Sequence, residues 1–288
     1  MHPDVCGEVR SLGRNFEYST VATAFGVRED AVAYLGTGGF GETWLVRSED
    51  GTRSVYKIIH KDGFPAERLD REIVGLRSVD HHRVVKLLDH SVVTIDGRAR
   101  PTLRFEYVEG GDLARARNGS LAPSPEEIAA LLTGLLEAVH ALHTARVVHR
   151  DIKPANIALR GGLLSDPVLL DLGLAKPLDM TTVTTYPAWM GTVPYMAPEQ
   201  LNGQRASNAA DLWSVGVVVT EIACGRHPYW TDEFAHDPQG LLSAQENYRL
   251  QLPSLISAPV VKVLDKLISF RRGQRGSARS ALELLRSA

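Results

Sequence analysis

The segment His149–Asn156 carries the strongest chemical signal in the sequence, because three polar residue types stand in it at fixed spacing. Asp151 can accept a hydrogen bond from an attacking hydroxyl group and take its proton late in a reaction. Lys153 can reach a transferring phosphoryl group, and Asn156 offers a neutral oxygen ligand to a hard cation. The segment therefore predicts phosphoryl transfer assisted by a divalent cation.

A carboxylate follows the apolar run Val168–Leu170, which places Asp171 at the end of a predicted strand. Mg²⁺ in proteins is usually held by one or two carboxylates or amides together with waters and substrate phosphates. We therefore predict that Asn156 and Asp171 are the metal ligands and that the metal is Mg²⁺.

Glycines at positions 36, 38 and 41 form the pattern G-x-G-x-x-G at the end of a strand. The pattern alone is weak, because an ordinary hairpin turn can carry it. A dinucleotide site would need a helix directly after the glycines, but Glu42–Val46 continues as a strand. The glycines therefore cap a hairpin whose N–H groups could approach phosphates, and Lys57 on the next strand could meet phosphate oxygens.

Around these motifs, the first third of the chain is rich in strands and the remainder is mainly helical. Strands are predicted over Ala31–Val46, Ser54–Ile59, Val84–Leu88, Ser91–Ile95 and Leu103–Val108. Ala66–Val79 is the only helix predicted before residue 120, while Thr20–Phe25 fits a strand or part of a helix. Later helices are predicted from Ser124 to about His143, over Asp211–Cys224, over Val260–Phe270 and over Ser277–Ser287.

The motifs, in this order, resemble the eukaryotic-like (Hanks-type) serine/threonine protein kinases, of which bacterial versions exist. The resemblance covers about residues 31–287 and includes the Gly-Thr…Ala-Pro-Glu segment at 191–199. It implies an α+β fold with two lobes: a small antiparallel β-sheet N-lobe with one helix (31–108) and a larger, mainly helical C-lobe (109–288). Residues 1–30 are left as an N-terminal extension of unknown role.

The resemblance also implies the site residues. Catalytic roles are expected for Asp151, Lys153, Lys57 and Glu72, the last as the helix residue that pairs with Lys57. The ATP-binding residues implied are Gly36, Thr37, Gly38, Gly39, Gly41, Thr43, Val55, Lys57, Phe105, Glu106, Val108, Asp112 and Ala158. An ion pair between Glu199 and Arg275 is implied as well. Lys153 and Thr192 are typical of the serine/threonine class, so protein Ser or Thr hydroxyls are the expected acceptors.

Several positions depart from the family pattern. Leu172 replaces the usual phenylalanine after the metal-binding aspartate, and we interpret this change as tolerated. The family usually has Val, Ala and Leu at three positions around the expected adenine site, where this chain has Thr43, Val55 and Ala158. The side chains above the adenine are therefore larger and the one below it is smaller. This change predicts a purine slot of similar height that is displaced towards the C-lobe.

The expected activation loop offers several hydroxyl groups between residues 181 and 186. We predict autophosphorylation at Thr184 and Thr185, because a phosphate there could face Arg150 and order the loop. The alternative is a loop that is merely polar.

Composition limits the other classes of function. The net charge of −2 supplies no general attraction to nucleic acid or anionic lipid, and the basic residues Arg271, Arg272, Arg275 and Arg279 favour structural or solvated roles. No apolar run is long enough to span a membrane and no signal sequence is evident, so a cytoplasmic location is expected. Cys6 and Cys224 lack metal-site spacing, and His140 with His143 is interpreted as packed or capping rather than metal-binding.

Three readings follow from the sequence. The main one is an active kinase that could form a homodimer for trans-autophosphorylation. A pseudokinase scaffold or nucleotide sensor is the first alternative, against which the retained Lys57, Glu72, Asp151, Asn156 and Asp171 argue. A small-molecule phosphotransferase is the second alternative, and the segment at 191–199 argues against it.

Overall fold

The structure, a computed structural model, describes residues 14–38, 41–60, 66–119, 121–171 and 192–287, without the side chains of residues 66, 68, 71 and 72. The strands are β1 Val32–Thr37, β2 Gly41–Arg47, β3 Arg53–Ile59, β4 Leu87–Ile95, β5 Arg98–Glu106, β6 Ile157–Leu159 and β7 Pro167–Leu169. The helices are α1 Tyr18–Phe25, α2 Ala66–Arg77, α3 Leu113–Asn118, α4 Pro125–Thr144, α5 Pro198–Leu201, α6 Asn208–Cys224, α7 Pro238–Asn247, α8 Ala258–Leu267 and α9 Ala278–Arg286.

The chain divides into two compact units. The first, called the sheet unit, comprises the described parts of Met1–Phe64 together with Leu87–Tyr107. The second, called the helical unit, comprises the described parts of Pro65–Lys86 and Val108–Ala288 and includes α2. The predicted α+β class with a strand-rich part and a mainly helical part is confirmed. The predicted lobe boundary between residues 108 and 109 stays a prediction.

The sheet unit contains an antiparallel five-stranded sheet in the order β1-β2-β3-β5-β4. Short turns set its register. The carboxylate of Asp50 accepts a hydrogen bond from the Thr52 N–H at 2.8 Å before β3, and Gly51 takes a positive φ of 83° there. Asp96 and Gly97 both have positive φ angles between β4 and β5. Such turn residues favour hairpins between neighbouring strands, which is the pairing observed.

Two expectations about this part of the chain are wrong. The predicted strands Val84–Leu88 and Ser91–Ile95 are not two separate strands, because β4 runs from Leu87 to Ile95 and pairs with β5 through the exposed Asp89 and His90. Val84 lies before β4 and forms an isolated bridge with Leu169. The helix over Ala66–Val79 is present as α2, but it is not the only helix before residue 120, since α1 and α3 are also formed. Both extra helices are short, so apolar periodicity gives them little signal.

The helix α4 begins as the sequence predicts. The Ser124 hydroxyl accepts from the Glu127 N–H at 3.2 Å, and the Glu127 carboxylate accepts from the Ser124 N–H at 2.8 Å. This reciprocal capping box satisfies two N–H groups that the first turn would otherwise leave without partners, and Pro125 occupies the first helical position. The core of the helical unit forms around α4 and α6, whose facing residues are buried along most of both helices.

No helix within residues 14–38, 41–60, 66–119, 121–171 and 192–287 combines the length and the apolar content needed to cross a membrane.

Gly216 in the middle of α6 allows this helix to approach α8 closely. A Cβ at Gly216 would lie 2.8 Å from Ile268 Cγ2 and 2.9 Å from Leu267 Cβ, distances that real Cβ atoms do not adopt. Gly75 in α2 is different, because its nearest contact would be Val147 Cγ2 at 3.7 Å, an ordinary van der Waals distance.

We predict that Gly216→Ala lowers the free energy of unfolding by about 1–3 kcal/mol through overpacking. Gly75→Ala, the same chemical change in a helix, is the matched control and should leave the stability unchanged or raise it by up to about 1 kcal/mol. Urea unfolding followed by circular dichroism measures both. Equal effects of the two substitutions would contradict the close approach at Gly216.

Candidate active site

The carboxylate of Asp211 anchors the segment that contains Asp151. Asp211 lies in the first turn of α6 and is 1% exposed. Its Oδ2 accepts from the His149 N–H at 2.9 Å and lies 2.9 Å from His143 Nε2, while its Oδ1 accepts from the Arg150 N–H at 2.8 Å. Because Arg150 has a φ of 69°, this bond holds a backbone conformation that a non-glycine residue rarely adopts. The interpretation of His143 as a packed histidine is confirmed.

The buried ring of His149 links this loop to the strand end before Asp171. Its Nε2 lies 2.9 Å from the Leu170 carbonyl oxygen, and its Nδ1 accepts from the Asp151 N–H at 3.3 Å. The Leu170 N–H in turn donates to the Asn156 carbonyl oxygen at 2.9 Å. These bonds fix the backbone on both sides of the loop. Asp171 follows directly, exposed and with a φ of 53°.

Asp151, Lys153 and Asn156 form one polar cluster, as the sequence motif predicts. The Asn156 Nδ2 donates to the Asp151 carbonyl oxygen at 2.8 Å and to its Oδ2 at 3.1 Å. The Lys153 ammonium lies 3.3 Å from the same Oδ2 and donates to Thr192 Oγ1 at 2.9 Å. The amide nitrogen of Asn156 is used in these bonds, so Oδ1 is the atom of its side chain that can bind a cation.

The turn at Glu109–Asp112 packs against β6, where Ala158 lies. A Cβ at Gly110 would be 1.9 Å from the Leu159 carbonyl oxygen, and its φ of 128° also requires glycine. The Asp112 carboxylate accepts from the Arg115 N–H at 2.8 Å and so begins α3. Sequence reasoning assigned Asp112 to ATP binding without this capping role. Val108, before the turn, and Ala158 are both buried.

In the sheet unit, the glycines form a hairpin turn between β1 and β2. The Gly38 N–H donates to the Gly41 carbonyl oxygen at 2.9 Å, and the Thr37 hydroxyl lies 3.5 Å from the same oxygen. A Cβ at Gly41 would lie 2.4 Å from the Ile58 carbonyl oxygen, so only glycine permits this approach to β3. Gly36 pairs with Thr43 just before the turn.

The strand register places the other predicted residues of the sheet unit in neighbouring rows. Thr43 on β2 is paired with Lys57 on β3, which is buried. Val55 is paired with Phe105 on β5, and Glu106 is paired with Ser54, the residue before Val55 on β3. Directly paired residues share a face of the sheet, and positions two apart share it as well. Thr43, Lys57, Val55 and Phe105 therefore lie on one face.

Several predicted site residues fall outside the described residues. These are Gly39, Leu172, Thr184, Thr185 and the side chain of Glu72. Within the described ranges no group of three or more histidine, cysteine, aspartate or glutamate side chains is arranged to hold a metal. The predicted Mg²⁺ ligands are one amide, Asn156, and one carboxylate, Asp171, so they are not a group of this kind.

The implied pair of Glu199 and Arg275 is confirmed. Arg275 donates to the two Glu199 carboxylate oxygens at 2.8 and 2.9 Å. Its other bonds go to the carbonyl oxygens of Ser269, Ala209 and Phe270, so all five N–H groups of a guanidinium are used. The side chain is 1% exposed and lies over the Trp213 ring at 4.9 Å. The pair therefore fixes α5 to α6 and to the chain before α9.

A buried polar network, missed by sequence reasoning, supports the segment after Thr192. The Tyr195 hydroxyl donates to Glu221 Oε2 at 2.8 Å, and the Arg117 guanidinium donates to both Tyr195 and Glu221. Burial raises the pKa of the Glu221 carboxyl, while these two donors counteract the rise. The one available signal was Glu221, a charged residue in the otherwise uncharged second half of α6.

The rings of His227 and Tyr229 extend this network. The Tyr229 hydroxyl donates to the Pro194 carbonyl oxygen at 3.1 Å, and Gln245 Nε2 donates to the Met196 carbonyl oxygen at 3.0 Å. His227 Nδ1 accepts from the Trp230 N–H at 2.9 Å, and the ring lies 5.3 Å from that of Tyr195. Burial lowers the pKa of His227 to about 3. The ring is therefore neutral near pH 7.

Comparison with known proteins identifies the family. The protein kinase domain model matches residues 30–284. The chain belongs to the protein kinase domain family. The match covers the cluster of Asp151, the glycine hairpin and the Glu199–Arg275 pair. The predicted resemblance to this family is thereby confirmed.

Curated relatives of the kinase domain are named as protein kinases. A probable serine/threonine-protein kinase, PkwA of Thermomonospora curvata, is 34% identical over 205 residues, which are 70% of this chain and 27% of the relative. The probable serine/threonine-protein kinase PknB of Corynebacterium glutamicum is 30% identical over 70% of this chain and 32% of the relative. Calcium/calmodulin-dependent protein kinase type 1 of Caenorhabditis briggsae is 28% identical over 94% of this chain and 76% of the relative. The chain therefore spans about a third of the two bacterial relatives.

We predict that His227 makes the kinase domain less stable in acid. In the unfolded chain His227 takes up a proton below its ordinary pKa of 6.5, whereas in the folded chain it stays neutral down to about pH 3. The free energy of unfolding therefore falls as the pH falls from 6.5 towards 3. From pH 7 to pH 5 the loss from this group is about 2 kcal/mol. Urea unfolding at both pH values measures it.

The variant His227→Gln removes the titrating group, so its stability should depend less on pH by this amount. His90→Gln, at an exposed position, is the matched control and should retain the pH dependence of the wild type. An undiminished pH dependence in His227→Gln would count against a neutral buried ring.

Proposed function

We propose that the chain is an active serine/threonine protein kinase that transfers the γ-phosphate of ATP to Ser or Thr hydroxyls of proteins. The observation that carries this proposal is the cluster in which Lys153 and Asn156 both contact the Asp151 carboxylate. The family match and the names of the relatives support it.

Asp151 is the proposed residue that receives the acceptor hydroxyl. Its side chain is 15% exposed, so a hydroxyl group can reach it, while Asn156 and Lys153 fix its orientation. A carboxylate so held can accept the hydrogen bond of the hydroxyl and take its proton late in transfer. The positive charge of Lys153 stabilises the negative charge on the oxygens of the phosphoryl group during transfer.

Asn156 and Asp171 are the proposed ligands of Mg²⁺. The donor chemistry fits this ion, because Asn156 uses its amide nitrogen internally and presents its Oδ1, and Asp171 is an exposed carboxylate at a strand end. When bound, Mg²⁺ neutralises charge on the phosphates of ATP. Asn156 and Asp171 are each held in place by the backbone bonds of the loop and of Leu170.

ATP binding is proposed for the residues that the family pattern assigns. The N–H groups of the hairpin turn at Gly36–Gly41 would bind phosphates, and Lys57 and Glu72 would act as a pair. The family pattern assigns contacts with the purine and ribose to Thr43, Val55, Phe105 and Glu106 of the sheet unit and to Val108, Asp112 and Ala158 of the helical unit. The displaced purine slot stays a prediction, which the opposite size changes at Val55 and Ala158 support.

The contact between Lys153 and Thr192 supports the choice of acceptor. The Lys153 ammonium donates to the Thr192 hydroxyl at 2.9 Å, which ties the loop of Asp151 to the segment expected to dock the substrate. Both residues are typical of the serine/threonine class in the family pattern. A pseudokinase scaffold or nucleotide sensor is the alternative that the experiment below distinguishes. The cytoplasmic location and a homodimer stay predictions from the sequence.

We predict that Asp151→Asn lowers phosphate transfer by at least about 100-fold, the usual contribution of a positioned acid or base. Transfer of labelled γ-phosphate from MgATP to the chain itself and to a generic protein substrate measures it. Asp265→Asn, the same change at an exposed position of α8, is the matched control and should retain activity.

The outcomes separate the alternatives. ATP binding without transfer in either the wild type or the variant would favour the pseudokinase. Transfer only to a small hydroxyl compound would favour the small-molecule phosphotransferase. Full activity of Asp151→Asn would contradict the role given to Asp151.

We also predict that the active enzyme phosphorylates itself at Thr184 or Thr185. Incubation with MgATP should add at least one phosphate, seen by intact-mass analysis, and Thr184→Ala with Thr185→Ala should remove it. Thr133→Ala, where the hydroxyl only bonds to the Ala129 carbonyl oxygen within α4, is the control. An unmodified mass on active enzyme would contradict this prediction.

A further inference from the structure

The segment of residues 14–27 precedes the family match, which begins at residue 30, yet it is built into the core of the sheet unit. Phe16, Val21 and Ala22 are 4%, 0% and 3% exposed. They belong to one apolar cluster with Trp44, which is fully buried, and with further strand residues. The remaining buried members of this cluster are Val32, Val46, Ile58 and Ile95.

This segment covers the face of the sheet opposite to the predicted site residues. Side chains alternate along β2, so Glu42, Trp44 and Val46 point to one face while Thr43 points to the other. Glu42, Trp44 and Val46 are buried at 0%, 0% and 3% exposure. An uncovered outer face would leave them in water. The helix α1 and the residues before it therefore supply the cover.

The buried carboxylate of Glu42 receives hydrogen bonds from this segment. The Asn15 backbone N–H donates to Glu42 Oε1, and the Asn15 Nδ2 donates to the same oxygen at 2.9 Å. The Trp44 Nε1 donates to Glu42 Oε2 at 3.1 Å. A carboxylate out of water is costly unless such donors satisfy it. Asn15 is itself exposed, so its amide is placed by this contact and not by burial.

Glu42 stands at the point where β2 leaves the glycine hairpin. It follows Gly41, whose carbonyl oxygen accepts from the Gly38 N–H at 2.9 Å and so closes the turn. It is paired with Ile58, and the next residue, Thr43, is paired with Lys57. A shift of Glu42 along or out of β2 would therefore move the turn and the row of Lys57 together.

We propose that Asn15 and Glu42 form a clamp by which the N-terminal segment holds the glycine hairpin in the geometry that binds ATP phosphates. This inference rests on the proposed function for the ligand, and Asn15 and Glu42 are positioning residues that act through Gly41 and Thr43. The clamp gives residues 14–27 a role within the kinase domain. Losing it lowers the population of the hairpin geometry that binds ATP.

The first test uses Asn15→Ala in the full chain, with Val21→Ala as the matched control. Val21 is fully buried in α1 and makes no bond to Glu42, so its truncation weakens the packing of the segment without releasing the carboxylate. KM for ATP, kcat, Tm and amide hydrogen exchange over residues 41–45, relative to β5, are measured for both variants.

We expect Asn15→Ala to raise KM for ATP about fivefold, the order of one lost hydrogen bond, while kcat at saturating ATP stays within about twofold. Exchange at residues 41–45 should rise relative to β5. Val21→Ala should lower Tm by at least as much with KM unchanged. A wild-type KM in Asn15→Ala, or an equal rise of KM in Val21→Ala, overturns the clamp.

A double-mutant cycle gives a second readout. Asn15→Asp places a carboxylate against that of Glu42, so KM for ATP should rise more than in Asn15→Ala. Adding Glu42→Gln should remove the repulsion and recover most of the rise, because an amide can donate to the new carboxylate. Additive effects of the two substitutions on KM overturn direct contact between the residues.

The failure of the proposed function is distinguishable from the failure of the clamp. If the wild type transfers no phosphate, the kinase proposal fails, and the clamp is judged by hydrogen exchange at residues 41–45 and by ATP affinity in a binding assay. If the wild type transfers phosphate and exchange at residues 41–45 is the same in Asn15→Ala, the clamp fails while the kinase proposal stands.

Discussion

The buried carboxylate of Asp211 is the constraint on which the rest of the candidate site depends. Two backbone N–H groups and one imidazole converge on its two oxygens, and these bonds hold the loop of His149 and Arg150 against α6. A loop with few apolar side chains cannot be fixed by packing alone. The buried Asp211 carboxylate needs hydrogen-bond donors, and the N–H groups of the loop supply them. The loop therefore stabilises the carboxylate of α6, and the carboxylate fixes the loop.

The same helix positions the other segments of the helical unit through polar residues placed at intervals along an apolar helix. The Ser214 hydroxyl donates to the Tyr195 carbonyl oxygen at 2.8 Å, and the Glu221 carboxylate accepts from the Tyr195 hydroxyl. Near its start, the Ala209 carbonyl oxygen accepts from Arg275. The helix α6 therefore fixes three separate segments by hydrogen bonds, which require more exact geometry than apolar contacts do.

Much of this arrangement could be predicted from short-range signals. The capping box at Ser124, the hairpin glycines and the cluster around Asp151 depend on residues close in sequence, and the Glu199–Arg275 pair followed from the family resemblance. A helix was one of two interpretations of Thr20–Phe25, but the packing of α1 on the sheet and the network of Arg117 and Glu221 could not be predicted in this way. They depend on contacts between residues far apart in sequence, and neither periodicity nor motif spacing records such contacts.

The position of α1 separates two meanings of a domain boundary. The family match starts at residue 30, but the apolar core of the sheet unit already includes Phe16. The boundary at residue 30 marks what the family has in common. The boundary near Phe16 marks the part of this chain that packs into one core. A protein shortened to the family boundary would expose Trp44 and Val46 to water as an apolar patch on the sheet. Aggregation of such a protein would result from the truncation and not from low stability of the kinase fold itself.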